Sequence, residues 1–228
     1  MIANRPTNRR SRIVGVIASR ADLERAVRMR RQPDLFELRL DRLAGMADRV
    51  ETLLPKVRTP LIIAARHPLE GGAGKLQVRQ RRNLLVRFLH HADYIDVELR
   101  SAPALQSLLK LAENKNIGRI ISFHNFKSTP RARALASKAY QAKSQGADIF
   151  KVATRTDSPM ELGRLLEFMK SSGLDLALTV MGIGKLGALS RVLLAGAGSV
   201  LIYGSVGEIS DIEGQLSLEQ LRTLGFGP

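Results

Sequence analysis

Lys151 stands in DIFKVAT (148–154), flanked on both sides by apolar residues that read as a strand. A lysine there has two readings. Its ammonium can snorkel to the strand end or pair with a carboxylate. Alternatively, desolvation and neighbouring arginines lower its pKa until the neutral amine attacks a ketone and forms a Schiff base. His124, in SFHNF (122–126), is the second candidate. It is either a hydrogen-bonded structural histidine or a proton carrier that works near neutral pH. Glu70, just before Gly71 and Gly72, is a carboxylate able to orient that ring and stabilise its charged form. Glu37, Arg39 and Asp41 recur at a spacing of two, which puts all three on one strand face. Arg66, Asp96, Glu98, Ser122 and Gln215 also lie at or just after the ends of strand-like runs. Charged groups that face inward from several strands are costly unless they pair or work. Their recurrence is an active-site pattern.

The elements that must position these residues are rhythmic. Short apolar runs fall at 13–18, 35–40, 61–66, 94–99, 119–124, 148–153, 176–181 and 199–204, with helix-spaced stretches between them. Strands alternating with helices indicate βαβ units on a parallel sheet. Eight units in 228 residues fit a (β/α)8 TIM barrel, with a doubly wound sheet as the rival. In a barrel, function sits at the C-terminal ends of the strands, where these residues fall. No linker or composition break divides the chain. The expected organisation is a flexible basic tail over 1–12 and a single catalytic domain over 13–228.

Apolar residues make up 44% and charged residues 25%, the composition of a soluble globular chain. There are no cysteines, which removes disulfides, thiolate metal sites and cysteine nucleophiles together and fits the cytoplasm. The run at 13–18 is too short for a signal-peptide core, and 192–207 is too short and glycine-broken for a membrane span. The net charge of +15 fits an anionic substrate or a nucleic-acid partner. Nucleic acid is disfavoured. Arginines such as Arg25, Arg28, Arg79, Arg81, Arg82 and Arg87 scatter over apparent helix surfaces, and 4% aromatic residues supply a poor stacking platform. No metal is expected, since His67, His90 and His91 form no ligand set with His124.

Gly182-Ile183-Gly184-Lys185-Leu186-Gly187 matches G-x-G-x-x-G, with Glu208 downstream. Only one further strand-like run follows, so a dinucleotide fold is not supported. Anion capture is the better reading: backbone N–H groups and a helix N-terminus, with Arg191 adding a bidentate contact to a carboxylate.

Taken together, ELRLD (37–41), R-x-x-x-EGG (66–72), SFHNF (122–126), DIFKVAT (148–154), MGIGKLGALSR (181–191) and EGQ (213–215) resemble, in order, the type I 3-dehydroquinate dehydratases. The resemblance implies a (β/α)8 barrel that converts 3-dehydroquinate to 3-dehydroshikimate in the shikimate pathway, without metal or organic cofactor and commonly as a homodimer. It implies that Lys151 forms the Schiff base, that His124 is the general base and acid, and that Glu70 orients it. It further implies that Arg191 holds the substrate carboxylate, and that Glu37, Arg39, Arg66 and Gln215 bind hydroxyls or shape the pocket. The family's last loop usually reads S-A-P-G-Q. Here Asp211 stands at the substrate-binding serine position, with Ser210 as a possible substitute, and Glu213 replaces the proline. Asn125 stands where aspartate is common. Two other functions remain open at this point: a class I aldolase whose phosphate site would be the loop near Gly182, and a non-catalytic basic barrel.

Overall fold

The computed structural model describes residues 10–171, 173–207 and 212–227. The remainder of the basic tail, together with Glu208, Ser210 and Asp211, lies outside the described residues. Eight strands form one parallel sheet: β1 (Arg12–Ile17), β2 (Leu35–Arg39), β3 (Leu61–Ala64), β4 (Tyr94–Glu98), β5 (Gly118–Asn125), β6 (Ile149–Arg155), β7 (Ala177–Ile183) and β8 (Leu201–Ser205). Hydrogen-bonded neighbours run β7-β6-β5-β4-β3-β2-β1-β8. The seam between β7 and β8 is bridged by Val200 N–H donating to the Leu178 carbonyl at 2.9 Å and Val180 N–H donating to Ser199 Oγ at 3.0 Å. The sheet therefore rolls into a barrel, and the doubly wound alternative is excluded.

Local sequence sets the helical layer. Before helix Arg20–Arg28, the Ser19 hydroxyl accepts the Asp22 N–H at 3.1 Å, so an otherwise unpaired first-turn donor is capped. Helix Val78–Phe88 starts with a reciprocal Gln77–Gln80 box and buries Arg81, Leu85 and Phe88 along one stripe. No helix among the described residues is long and apolar enough to cross a membrane.

Both faces of the strands are covered, which is why their sequences read as apolar runs rather than strict alternation. Outward-facing Phe36, Leu38, Ile63, Val97, Ile121, Phe150 and Val152 pack under the helices. Inward-facing Val14, Leu35, Ile62, Ile120, Ile149 and Leu201 fill the lower barrel. Two residues further along their strands, Glu37, Ser122, Lys151 and Tyr203 take the same inward direction. The interior thus changes from apolar to ionic toward the C-terminal ends.

Two expectations are corrected here. Asp41 does not share a strand face with Glu37 and Arg39, because β2 stops at Arg39 and Asp41 lies in the one-turn helix Leu40–Leu43. Arg81 is not on a helix surface: it is 2% exposed, because Glu98 beneath it requires a cation.

Candidate active site

β6 points Lys151 into the barrel, where it is 3% exposed. Its Nζ donates to Glu37 Oε2 at 2.8 Å and to Asp96 Oδ2 at 2.9 Å. Carboxylates, rather than arginines, are therefore its closest charged partners, and they provide acceptors for its proton. Asp96 also binds Arg66 through two N–H···O contacts of 3.0 and 2.8 Å. Arg66 extends the network to Ser122 Oγ at 2.6 Å, Glu98 at 3.4 Å and Glu37 at 3.9 Å. Burial alone would raise the Asp96 pKa, but Arg66 and Lys151 hold it well below the usual carboxylate range. Arg81 reaches in from its helix and holds the other Glu98 oxygen at 2.8 Å.

His124, near the end of β5, meets Glu70. The carboxylate Oε2 accepts the His124 backbone N–H at 2.9 Å and lies 3.1 Å from Nδ1. Arg100 Nε binds the other oxygen at 3.0 Å. Glu70 is delivered by the turn Pro68–Glu70, which Gly71 ends with φ of +83°. Gly72 is required by proximity: a Cβ there would stand 2.1 Å from the Arg66 carbonyl oxygen. The EGG triplet is therefore a device for presenting one carboxylate. Asp41 anchors the same loop by accepting N–H bonds from Arg66 and Ala73 at 3.1 and 2.9 Å. Burial, with nearby Arg66 and Lys151, puts the His124 pKa well below the ordinary histidine value. Burial raises Glu70 to about 7, even with Arg66 and Arg100 opposing it. At neutral pH the imidazole is neutral and able to accept a proton.

Arg191 is the third feature. It is 3% exposed on helix Gly187–Gly196, and its Nη1 reaches the carbonyls of Gly182, Gly187 and Gly214 at 2.8, 2.9 and 2.7 Å. No carboxylate pairs with it among the described residues, and its Nε makes no hydrogen bond. Burial lowers its pKa to about 10, still cationic at neutral pH. A buried cation without a counter-charge is a site for an anionic ligand.

The glycine-loop expectation is corrected at this point. Gly184 N–H donates to the Glu213 carbonyl, Lys185 N–H to Asp157 Oδ1, Leu186 N–H to the Thr156 carbonyl and Gly187 N–H to the Gly184 carbonyl. These four donors are spent inside the protein, so the N–H groups of 184–187 are not open to an anion. The loop instead docks the segment that carries Gln215. Gly214, at φ of +77°, lies so close to Gly187 that a Cβ would come within 2.7 Å of the Gly187 Cα. Glu213, at the position where proline is usual, pairs with Arg155 at 2.9 Å.

One pocket of about 200 Å³ brings most of these residues together: Glu37, Arg39, Arg66, Glu70, His124, Lys151, Arg191 and Gln215 all line it. Arg39 is committed to Asp41 at 3.0 and 2.8 Å and to the Gly71 carbonyl, and Arg66 to its carboxylates. Both shape the pocket wall. Asp211 lies outside the described residues. Sequence reading missed Tyr203, also on the lining, and the burial of Arg81. Tyr203 carried a signal in its place two residues after Leu201 on an inward strand face; Arg81 carried none.

A barrel whose strand ends gather an ion-paired lysine, a histidine–carboxylate pair and an arginine unpaired among the described residues around one pocket defines a candidate active site. The chain belongs to the Type I 3-dehydroquinase family, whose model matches residues 14–225. It is 33% identical over 191 residues to the 3-dehydroquinate dehydratase of Thermodesulfovibrio yellowstonii, covering 82% of each chain. The crystal structure of 3-dehydroquinate dehydratase from Geobacillus kaustophilus superposes with a TM-score of 0.84 at 28% identity, covering 94% of this chain and 89% of that one. The Aquifex aeolicus enzyme gives 0.77 at 28% identity, covering 93% and 96%.

Proposed function

We propose that this chain is a hydro-lyase that dehydrates 3-dehydroquinate to 3-dehydroshikimate through an imine on Lys151, with the single barrel as the catalytic unit. The observation that carries the reading is the convergence on one pocket of Lys151, His124–Glu70 and Arg191, which has no carboxylate partner among the described residues. Arg191 takes the substrate carboxylate as its missing counter-charge. Lys151 passes a proton to Glu37, and its neutral amine adds to the ketone. Loss of water gives the iminium, which draws electrons from the adjacent carbon. Glu70 accepts the His124 Nδ1–H, which leaves Nε2 free to take the proton from that carbon. The enamine then expels the hydroxyl, His124 returns its proton, and hydrolysis frees the lysine. Gln215 contacts substrate hydroxyls. The aldolase reading loses its phosphate site, because the N–H groups of 184–187 are already bonded.

The test is a borohydride trap. Incubation with 3-dehydroquinate and reduction should add one substrate-derived mass to the protein, and peptide mapping should place it on Lys151. An unmodified mass with unconsumed substrate refutes the assignment.

A pH dependence follows from the histidine–carboxylate pair. Ionised Glu70 is the form that accepts from Nδ1–H, and the raised Glu70 pKa of about 7 puts its titration within the working range. kcat/KM should therefore rise with pH through about 7. Glu70→Gln should remove that limb and lower the plateau by about 100-fold, the lower end of the usual general-base contribution. An unchanged limb in this variant would assign the titration to another group.

A further inference from the structure

Tyr203 lines the pocket, yet the chemistry above does not use it. β8 turns it inward, and it is 3% exposed. Its ring lies against Lys151, with Nζ 3.9 Å from the centroid. The ammonium therefore has Glu37 and Asp96 on two of its N–H directions and an aromatic face close by. The Tyr203 hydroxyl sits beside the Glu37 carboxylate, close enough to interact with it, but in a geometry that makes no well-formed hydrogen bond. A phenylalanine would fill the same space without burying a poorly bonded hydroxyl. Burial, then the Glu37 and Asp96 charges, hold the phenol well above its ordinary pKa, so it stays protonated and is a donor.

We propose that Tyr203 is a further catalytic residue whose O–H donates a hydrogen bond to the substrate's ketone oxygen while Lys151 adds to the carbonyl carbon. The inference rests on the imine reading above. When the nitrogen lone pair forms the N–C bond, the carbonyl π pair moves onto oxygen, and negative charge develops one bond from that carbon. The phenol oxygen stands one ring radius and one C–O bond from the centroid that Nζ faces, which places it within reach of that oxygen. Of the three ammonium protons, one stays on the iminium nitrogen and two leave with the oxygen as water. They travel through Glu37. Tyr203 keeps its own proton throughout. A donor whose bond strengthens as charge develops acts on kcat rather than on KM.

Tyr203→Phe keeps the ring against Lys151 and removes only the hydroxyl. The expected result is a kcat lower by about 10- to 100-fold, short of the loss for a full oxyanion-hole donor, with KM within about twofold. Single-turnover borohydride trapping at Lys151 should slow in proportion, while the ligand-free Tm stays close to that of the wild type because no well-formed hydrogen bond is lost. An unchanged kcat and trapping rate would overturn the proposal, as would a raised KM at constant kcat. Wild-type protein runs alongside. If it forms no Lys151 adduct, the imine reading itself has failed; if it does and the variant matches it, only the Tyr203 role has failed.

Discussion

Lys151→Met should lose turnover of 3-dehydroquinate by on the order of 10⁴-fold or more, the scale expected when a covalent nucleophile is removed. Methionine keeps most of the side chain's length and apolar stem but has no amine to form an imine. The fold should survive because Arg66 continues to neutralise Asp96 at 2.8 Å and lies 3.9 Å from Glu37. Removing one member of a buried ion pair costs about 3–5 kcal/mol when nothing replaces it, and Arg66 keeps the loss below that range. Lys151→Arg is the companion variant. It restores a cation beside Glu37 and Asp96, but a guanidinium stays protonated and does not attack a ketone. Both variants should be folded by circular dichroism, inactive, and unmodified by borohydride in the presence of substrate. Turnover in either, or an adduct on another lysine, would remove Lys151 from the mechanism.

The contrast between those two variants shows what was legible in the sequence. The strand carrying Lys151 was readable because apolar residues surround it on both faces of a covered parallel strand, and the same holds for the other seven runs. Observed strand limits stay within a few residues of them, from Arg12 rather than Ile13 at the first to Leu201 rather than Ser199 at the last. Periodicity reports which face a residue takes, so the inward direction of Glu37, Arg39, Ser122, His124 and Lys151 could be read directly. It does not report which charge meets which. The sequence suggested arginines around Lys151, yet strand stagger brings Glu37 and Asp96 to it first.

Asp41 and Arg81 mark the two limits more sharply. A spacing of two describes a strand only while the strand lasts, and Leu40 starts a helical turn that takes Asp41 off the face. Its carboxylate nevertheless reaches the Arg66 and Ala73 N–H groups, a connection across more than twenty residues that no local pattern encodes. Arg81 sits in the polar stretch RQRR, indistinguishable there from its solvated neighbours. Only the tertiary position of Glu98 turns it inward. The glycine loop near Gly182 shows the converse error. Its N–H groups were countable from sequence, but their partners, Glu213 and Asp157, are distant in the chain.

Arg66→Met should have the largest effect on stability among single changes in this network. The guanidinium, 2% exposed, is shared among Asp96, Glu98 and Ser122, with Glu37 at the edge. Its removal leaves Glu37 and Asp96 to Lys151 alone and Glu98 to Arg81 alone, three buried carboxylates against two cations. The expected loss is about 3–5 kcal/mol in urea denaturation. For a chain of this size that is a fall in Tm on the order of 10 °C. The loss should also depend on pH. Asp96, held low by Arg66 in the native state, contributes stability that is present above the unfolded carboxylate pKa of about 3.9 and disappears as pH falls toward the folded value. The gap between wild type and Arg66→Met should therefore be full near neutrality and narrow in acid. Arg87→Met supplies the comparison, because Arg87 pairs with Asp48 and Glu51 on the exposed surface and salt and water already screen it. It should move the urea midpoint far less at every pH. Equal shifts for the two variants would mean that the barrel's ionic interior is dispensable for folding, and that Arg66 is kept for the pocket alone.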